Sequence, residues 1–523
     1  MESNRDAQDT LVTTPGVTTP ARRRLAAAIG CVFATTLACA HADAPRRADW
    51  EAPLRADPAN RVFATLPAVR GNGLPRSGSV HTVANCNDSG VGSLRSAIGG
   101  AGDGDVIDLS RLACSAITLQ TGAIVVTADN LAIEGPGSAH LAIDGNGADR
   151  IFLHPRGGRL EIKGVTLRNG YNQTTGFSVA GGACIASAGH VSLASTHVRG
   201  CVARGVGAYG GAVYAYALAM SDATIEGSVA DGTHADATTA SFGGAAFVYA
   251  LELQDSTISG NLATSHANPT RTSYDIGGGF VAVLGGTITG STIDSNVSRG
   301  RGGGGAVFNS VEVSNSTISG NVAESSVGGG LFVRWPSVAM LHNATVTANR
   351  AARDGGGLWM NADGGDFSSS IVAGNGTGNQ IGNQDNPNGA LPRPFLIGGS
   401  RNLIGAVGAE VTIPADTLRA QPLLAPLARN GGRTRTHALL PGSPALDAGA
   451  NIDGLAYDQR GYPYERVYGN GPDIGAFEQG ALPPAPAQVP LSRLALLSLV
   501  ALLALAALRA PSMRRRAARP HGG

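Results

Sequence analysis

One phrase recurs along this chain and restricts what the chain can fold into. It reads VEVSNSTISGN from Val311, LELQDSTISGN from Leu251 and GTITGSTIDSN from Gly286. Successive copies are roughly 25 to 35 residues apart, a period typical of solenoid proteins, in which each repeat forms one coil stacked on the last. Aligned on the last residue of the phrase, the copies end at Gly170, Cys201, Ser228, Asn261, Asn296, Asn321, Asn349 and Asn375.

The spacing of apolar residues within the phrase predicts a bend. Val311, Val313 and Ile318 are all apolar, and the last two are five positions apart. Residues five apart in one straight strand face opposite sides of a sheet, so the three side chains could not share one interior. A corner between residues 313 and 318 would bring all three inward and leave the polar residues between them outside.

A glycine-rich phrase before each copy predicts a third strand. It reads GGAVYAY from Gly210, GGGGAVFN from Gly302 and GGGLWM from Gly355. Glycine can turn the chain at positive φ without a Cβ clash, and no Gly-Lys-Ser/Thr follows that would indicate a phosphate loop. The sequence thus predicts an all-β fold, a right-handed parallel β-helix with three strands per coil and about ten coils. The composition agrees, with 75 glycines and only 5% aromatic residues.

Asparagine closes five successive copies of the phrase. Stacked side-chain amides can hydrogen-bond from one coil to the next, and asparagine tolerates the left-handed conformation that such a turn uses. We therefore predict a structural ladder formed by Asn261, Asn296, Asn321, Asn349 and Asn375.

Four of the six cysteines lie beyond the N-terminal apolar run. An even number of cysteines in an exported protein favours disulfides, and four cysteines allow three pairings. The preferred pairs are Cys86 with Cys114 and Cys184 with Cys201. A zinc site is the rival interpretation, but the chain has no CxxC spacing, and no metal site is predicted. A Ca²⁺ ion in the DGNGAD loop that starts at Asp144 is the remaining cofactor alternative.

Both ends of the chain have the pattern of targeting segments. Residues 1–44 combine an arginine cluster, an apolar run and small residues, which predicts a signal peptide with an N-terminal extension. Residues 491–509 form a short apolar run, which predicts a transmembrane or sorting helix with the basic tail 510–523 in the cytoplasm. Between the ends we expect a flexible linker at 45–78, a β-helix with its N-terminal cap at 79–405, a C-terminal cap at 406–480 and a Pro-rich linker at 481–490.

Two stretches carry a family resemblance. HTVANCNDSGVGSLRSAI, from His81, resembles the CSLREA-like element that opens many exported bacterial β-helix proteins. The stretch from Gln421 to Glu478, which includes GGRTRTHALLPGSPALDAG and YDQRGYPYERVYGNGPDIGAFE, is similar to the choice-of-anchor Q domain. That domain closes bacterial β-helix proteins of the pectin-lyase-like kind ahead of membrane or sorting tails. The resemblance implies an exported, envelope-anchored β-helix and names no reaction.

Carboxylates near one corner are the candidates for catalysis. Asp222, Asp255 and Asp294 occupy or adjoin the same corner in successive coils, and glycoside hydrolysis needs two carboxylates about 5 to 9.5 Å apart. The alternative is that polar residues occupy corners because their side chains satisfy the backbone groups of turns. For a lyase, Lys163 and Arg168 are the candidate base and charge neutraliser.

Aromatic side chains in or beside the glycine-rich strands are candidates for carbohydrate binding, because the faces of sugars stack on rings. They are Trp335, Trp359, Tyr209, Tyr214, Tyr216 and Tyr249.

The sequence therefore predicts a membrane-tethered protein of the bacterial cell envelope that displays a binding, adhesion or structural surface. The expected partners are the membrane, through the C-terminal helix, and a polysaccharide or cell-surface glycan. The alternative function is that of a polysaccharide lyase or glycoside hydrolase. A formal net charge of +1 offers no general field for nucleic acid, which we do not expect as a partner.

Overall fold

The computed structural model describes the β-helix and the region that follows it, which belong to one compact unit. The predicted signal peptide, the C-terminal apolar run, the basic tail and nearly all of both linkers lie outside the described residues. Among the described residues, no helix is long and apolar enough to cross a membrane. The described ranges are 78–175, 179–233, 239–266, 274–334, 338–361, 364–382 and 395–481.

The chain winds through short strands, and each strand pairs in parallel with its equivalents in the neighbouring coils. Val311, for example, pairs with Gly286 of the previous coil and with Ala339 of the next. The pairing stays in register because successive coils place the same residue types at the same positions. The protein is therefore an all-β parallel β-helix, consistent with the right-handed winding that the sequence predicts.

The strands form four sheets. Sheet A contains Val80–Thr82, Asp105–Asp108, Ile124–Val125, Leu131–Glu134, Phe152–His154, Arg159–Lys163, Ile185–Ser187, His190–Ala194, Val213–Ser221, Ala246–Gln254, Phe280–Ala282, Gly286–Thr289, Gly305–Val307, Val311–Ser314, Leu331–Arg334, Val338–His342, Leu358–Asn361, Gly364–Ser368, Ile381–Gly382, Phe395–Ser400 and Val411–Thr412. Sheet B contains Ala116–Thr118, Ala142–Asp144, Thr166–Arg168, His197–Arg199, Thr224–Glu226, Thr257–Ser259, Thr292–Asp294, Thr317–Ser319, Thr345–Thr347, Ile371–Val372 and Leu403–Ile404.

Two smaller sheets complete the coils. Sheet C contains Tyr171–Gln173, Val202–Gly205, Val229–Thr233, Leu262–His266, Val297–Ser298, Val322–Ala323 and Arg350–Ala351. Sheet D contains Val179–Gly181, Gly207–Tyr209, Ala240–Phe242 and Tyr274–Ile276.

The expected number of three strands per coil is too low for the middle of the rod. Four strands follow one another in the coil that starts at Gly305, and the fourth is the two-residue strand Val322–Ala323 in sheet C. A strand of two residues is too short to show the alternation of apolar and polar residues on which strand prediction depends. Sheet B has one strand in each coil, and its eleven strands agree with the expected length of about ten coils.

The interior of the rod is filled by aliphatic residues that stack from coil to coil. Val313 and Ile318, five positions apart, are both fully buried in the same core. The bend between them lies at Asn315, whose φ is 51°. The predicted corner is confirmed, and with it the reason that apolar residues five apart can share one interior. The stacked residues of sheet B are Leu167, Val198, Ile225, Ile258, Ile293, Ile318 and Val346.

The expected left-handed conformation of the ladder asparagines is wrong. Positive φ falls instead on the residue before each asparagine, as at Gly320 (67°) and Ser295 (57°). Because that residue makes the turn, the asparagine that follows is free to point its side chain into the rod.

One helix occurs among the described residues, α1 (Leu94–Gly99), and it lies near the start of the rod. Ser93 caps it, since its hydroxyl accepts a hydrogen bond from the Ser96 backbone N–H. Leu94 and Ile98 are buried in the core of the first coils. The helix thus covers apolar residues that no preceding coil could cover.

The C-terminal region does more than cap the end of the rod. After the last strand pairings near Leu418, the chain runs back along the outer face of sheet B, and we name residues 424–478 the strap. In the strap, the side-chain oxygen Oε1 of Gln459 accepts a hydrogen bond from the Thr317 hydroxyl of sheet B, 2.5 Å away. A second apolar cluster fills the space between strap and sheet, and it includes Ile371, Leu403, Leu439, Ala445 and Ile474.

Candidate functional site

Two of the three candidate carboxylates lie side by side. Asp222 and Asp255 follow residues that pair in register, at the corner between sheets A and B, and both have positive φ. Asp222 is bound on both sides, since its carboxylate accepts a hydrogen bond from Ser195 (3.1 Å) and forms an ion pair with Arg433 of the strap (2.9 Å). Asp255 is half-buried. Burial raises the pKa of Asp255; Arg433 opposes this shift and Asp222 adds to it.

The third candidate, Asp294, does not join this pair. It ends a strand of sheet B, where it pairs with Ser259, and its side chain is fully buried beneath the strap. Both of its oxygens lie 2.6 Å from the Arg435 guanidinium. Burial raises the pKa of Asp294, and Arg435 opposes the shift. This geometry makes Asp294 a docking residue for the strap.

Lys163 and Arg168 do not converge either. Lys163 is exposed at the end of a sheet A strand and borders a groove near the N-terminal end, together with Asp108 and Glu134. Arg168 lies beyond the corner in sheet B, where its Nε donates to Asp144 at 2.7 Å. A base and a charge neutraliser would have to face one substrate atom, so the arrangement needed for a lyase is not formed by this pair.

The first carboxylate of the DGNGAD loop, Asp144, is hydrogen-bonded to other residues of the protein. Asp144 accepts hydrogen bonds from Arg168, from the Asn169 side chain and from the Asn146 backbone N–H. Burial alone would raise the pKa of Asp144, but these hydrogen bonds together outweigh it and lower the pKa. In the part of the chain that the structure describes, no group of three or more His, Cys, Asp or Glu side chains is close enough to hold a metal ion.

Both predicted disulfides are formed. Cys86–Cys114 ties the segment before α1 to the loop after the second strand of sheet A, and Cys184–Cys201 closes a loop across one coil, with Cα atoms 5.7 Å apart. Disulfides of this kind persist in oxidising compartments.

The five asparagines stack inside the corner between sheets B and C. The Asn296 backbone N–H and side-chain Nδ2 both donate to Asn321 Oδ1, each at 3.0 Å. The same pattern repeats from Asn261 to Asn375 and ends on Gln380, whose Oε1 accepts from Asn375.

A second ladder stands at the corner between sheets A and B, where the sequence predicted polar residues on the outside. Ser291 and Ser316 are fully buried, and the Ser291 N–H donates to Ser316 Oγ at 3.0 Å. Ser256 N–H donates in turn to Ser291 Oγ. The expectation fails because a small hydroxyl can turn inward and satisfy the backbone of the next coil. A serine recurs at this position in successive copies of the phrase, as Ser256, Ser291 and Ser316, and this repetition could have indicated the ladder from the sequence.

Most of the candidate aromatic side chains are covered. Tyr209, Tyr214 and Trp359 are buried. Tyr216 and Tyr249 are half-buried, and their rings stack in adjacent coils with centroids 5.5 Å apart. Trp335 lies outside the described residues. The rings therefore pack mainly on one another and offer little free surface for a sugar.

The strap divides the outer face of sheet B into two parts. From Thr292 onward the sheet is covered, and contacts such as Ser319 Oγ to His437 Nε2 at 2.8 Å hold the strap in place. Arg435 marks the boundary, because its Nη2 donates to Ser259 at 2.9 Å. Among the residues that the structure describes, no residue of the strap lines the outer face of the coils before this boundary.

A groove of about 530 Å³ lies on the open part. Its floor follows the corner between sheets B and C, where Gly227 and Gly260 have φ near +60°, and a Cβ added to either would meet no atom within 4 Å. Charged side chains of sheet B stand along the groove. The lining residues are Arg168, Asn169, Arg199, Gly200, Glu226, Gly227, Ser259 and Gly260. This site was missed from the sequence, because only the strap shows which coils stay open.

We expect the docking of the strap to weaken in mild acid. Burial lowers the pKa of His437 from the ordinary 6.5, so the folded state favours the neutral ring. The stability that this preference contributes is present above pH 6.5 and is lost as the pH falls below it. A His437→Gln variant should therefore lose less melting temperature than the wild type between pH 7 and pH 5. The same replacement at exposed His140 is the control, and an equal loss in all three proteins would contradict the assignment.

Comparisons with known proteins do not identify a family for this chain. No family model matches the chain, and no curated protein matches it. Among solved structures, the crystal structure of pectate lyase Pel9A is similar, with a TM-score of 0.36 and 12% sequence identity over 76% of this chain and 96% of that chain. A likeness this distant supports no argument about activity, and the resemblance to the choice-of-anchor Q domain stays a prediction.

Proposed function

We propose that this protein is exported, anchored in the bacterial envelope by residues 491–509, and binds an extended polysaccharide in the groove on the open part of sheet B. The observation that carries the binding proposal is the groove itself. It runs across successive coils from Arg168 to Ser259, with a floor of glycine backbone and a border of charged and polar side chains. A channel parallel to the axis of a solenoid suits a linear polymer, because each coil offers the same backbone surface to each successive unit.

Two further observations support this setting. The disulfides fit an oxidising compartment outside the cytoplasm. Arginines of the strap pair with Asp222 and Asp294, and Lys163 and Arg168 do not converge, so binding explains the geometry with fewer assumptions than turnover.

The proposal is tested by filling the groove. Gly227→Asn adds a side chain where no atom lies within 4 Å, and asparagine tolerates the φ of +60° found there. We expect at least a tenfold loss of affinity for the polymer, roughly 1.4 kcal/mol, with an unchanged melting temperature. Affinity electrophoresis against a panel of soluble polysaccharides is the measurement.

Gly454→Asn is the matched control, since Gly454 also has φ near +63° and open space around it but lies in the strap. If Gly227→Asn binds every polymer as the wild type does, the groove is not the binding site.

Glycoside hydrolysis is a second candidate, and the pair Asp222 and Asp255 favours it. Carboxylates in adjacent coils are about 4.8 Å apart, close to the roughly 5 to 5.5 Å of retaining glycosidases. The raised pKa of Asp255 suits an acid, whereas the ion pair with Arg433 occupies the carboxylate that would act as nucleophile. Release of reducing ends from the retained polymer, abolished by Asp255→Asn, would establish this function in place of binding alone.

A further inference from the structure

One cation in the groove has no carboxylate to neutralise it. Asp144, Arg168, Arg199 and Glu226 are in-register neighbours in four successive coils of sheet B, and their side chains form one outward-facing row. Asp144 binds Arg168 at 2.7 Å, and Glu226 binds His197 at 2.9 Å. Arg199, between them, is exposed and forms no ion pair with any residue that the structure describes.

Nothing in the described structure covers Arg199 from the side of the groove. The corner beside it is formed by Gly200 and Gly227, which carry no side chain that could screen the guanidinium. A chain lying on this glycine floor would therefore pass the Arg199 side chain.

The charges around the groove select the kind of ligand. A guanidinium presents several N–H donors in one plane and pairs with a carboxylate through two parallel hydrogen bonds. Arg168 and Arg199 are one coil apart, about 4.8 Å, and Asp144 engages only Nε of Arg168 among its nitrogens. The carboxylates on either side of these two cations, Asp144 and Glu226, each pair with another residue, so the guanidinium of Arg199 keeps its donors for a ligand.

The geometry points to a carboxylate-bearing linear glycan as the ligand of the groove, with Arg199 as the residue that binds its carboxylates and Arg168 beside it. This inference rests on the proposed function and adds the charge of the ligand to it. The Glu226 and Ser259 end of the groove, next to the strap, is left for hydroxyl groups, because Glu226 would repel a second anion.

Two polymers with the same β-glucan backbone test the inference. Carboxymethyl cellulose carries carboxylates and hydroxyethyl cellulose is neutral. We expect the full protein to bind the carboxylated polymer at least tenfold more tightly by affinity electrophoresis, and the difference to shrink at high salt. Arg199→Gln should remove most of this preference without changing the melting temperature, since the side chain is exposed. Arg350→Gln, at an exposed arginine of sheet C, is the matched control and should bind as the wild type does.

The outcomes separate the two claims. Equal binding of both polymers, lost in Gly227→Asn, would overturn the inference and leave the groove as the binding site. Binding of the carboxylated polymer that Arg199→Gln leaves unchanged would also overturn it. Single-stranded DNA is tested as a third ligand. Binding of the DNA but of neither polymer would overturn the inference and identify a nucleic acid as the partner. Retention of no polymer at all would overturn both the inference and the proposed function.

Discussion

Arg466→Met should release the strap and lower the free energy of unfolding by roughly 3 to 5 kcal/mol at neutral pH, the usual cost of removing one partner of a buried ion pair. Arg466 is completely buried, and its guanidinium donates to the backbone oxygens of Gly475 and Asp473 and to Glu478 Oε2, all within 2.9 Å. Methionine fills similar space but leaves the Glu478 carboxylate buried without its cation. Chemical denaturation is the measurement.

The pH dependence of this loss separates charge from packing. Burial already raises the pKa of Glu478 to about 7, against the opposing effect of Arg466. A raised pKa means that the folded state favours the protonated acid, so stability falls as the pH rises through the folded value. Without Arg466 the pKa should rise further, and the destabilisation should be larger at pH 8 than at pH 5.

Arg419→Met, at an exposed arginine, is the control for the exchange and should change little at either pH. A loss in Arg466→Met that is the same at pH 5 and pH 8 would assign the effect to packing rather than to the buried charge.

Asn321→Ala should have the second largest effect and lower the free energy of unfolding by roughly 2 to 4 kcal/mol. The side chain is fully buried. Its Oδ1 accepts two hydrogen bonds from Asn296, and its Nδ2 donates to Asn349 Oδ1 and to the Ile293 carbonyl. Alanine leaves two donors of Asn296 unpaired inside the rod and removes the side-chain hydrogen bond to the Ile293 carbonyl, and each unsatisfied group costs about 1 to 3 kcal/mol before relaxation.

Thermal and urea unfolding measure this loss, with Asn470→Ala as the control because that side chain is exposed. Equal stability of the two variants would mean that the ladder is a consequence of stacking and contributes no net stability.

The fold follows from local patterns in the sequence, which is why the sequence predicts it well. The five-residue offset between Val313 and Ile318 requires a corner, and repetition of the phrase requires stacking. Both inferences can be made without knowing any contact between residues that are distant in the sequence. The same locality explains the errors. A two-residue strand such as Val322–Ala323 has no period to detect, and Ser316 is turned inward by a carbonyl in the previous coil, Ile288, to which it donates.

The candidate site depends on contacts that no repeat encodes. Arg435 reaches Asp294 across a sequence separation of 141 residues, and this contact decides where the open part of sheet B ends. The sequence groups Asp294 with Asp222 and Asp255, although Asp294 stands two residues before the end of its phrase and the other two stand six before the ends of theirs. In the structure Asp294 pairs with Ser259 of sheet B, not with Asp255. Burial under the strap separates it from them. The sequence does not single out Arg199, because only the structure shows that the neighbouring carboxylates, Asp144 and Glu226, pair with other residues.

The stacking of coils in register is the claim on which groove, ladders and strap all depend, and a distance between two spin labels tests it most directly. Val202 and Arg350 lie in the same row of sheet C, five coils apart, with outward-facing side chains. Nitroxides attached through ketone-bearing residues at these two positions should be separated by roughly 24 Å along the axis, which is five steps of about 4.8 Å. Moving the first label from Val202 to Val229 should shorten the distance by one step. A distance that does not change with the number of intervening coils, or a broad distribution above 40 Å, would contradict the account.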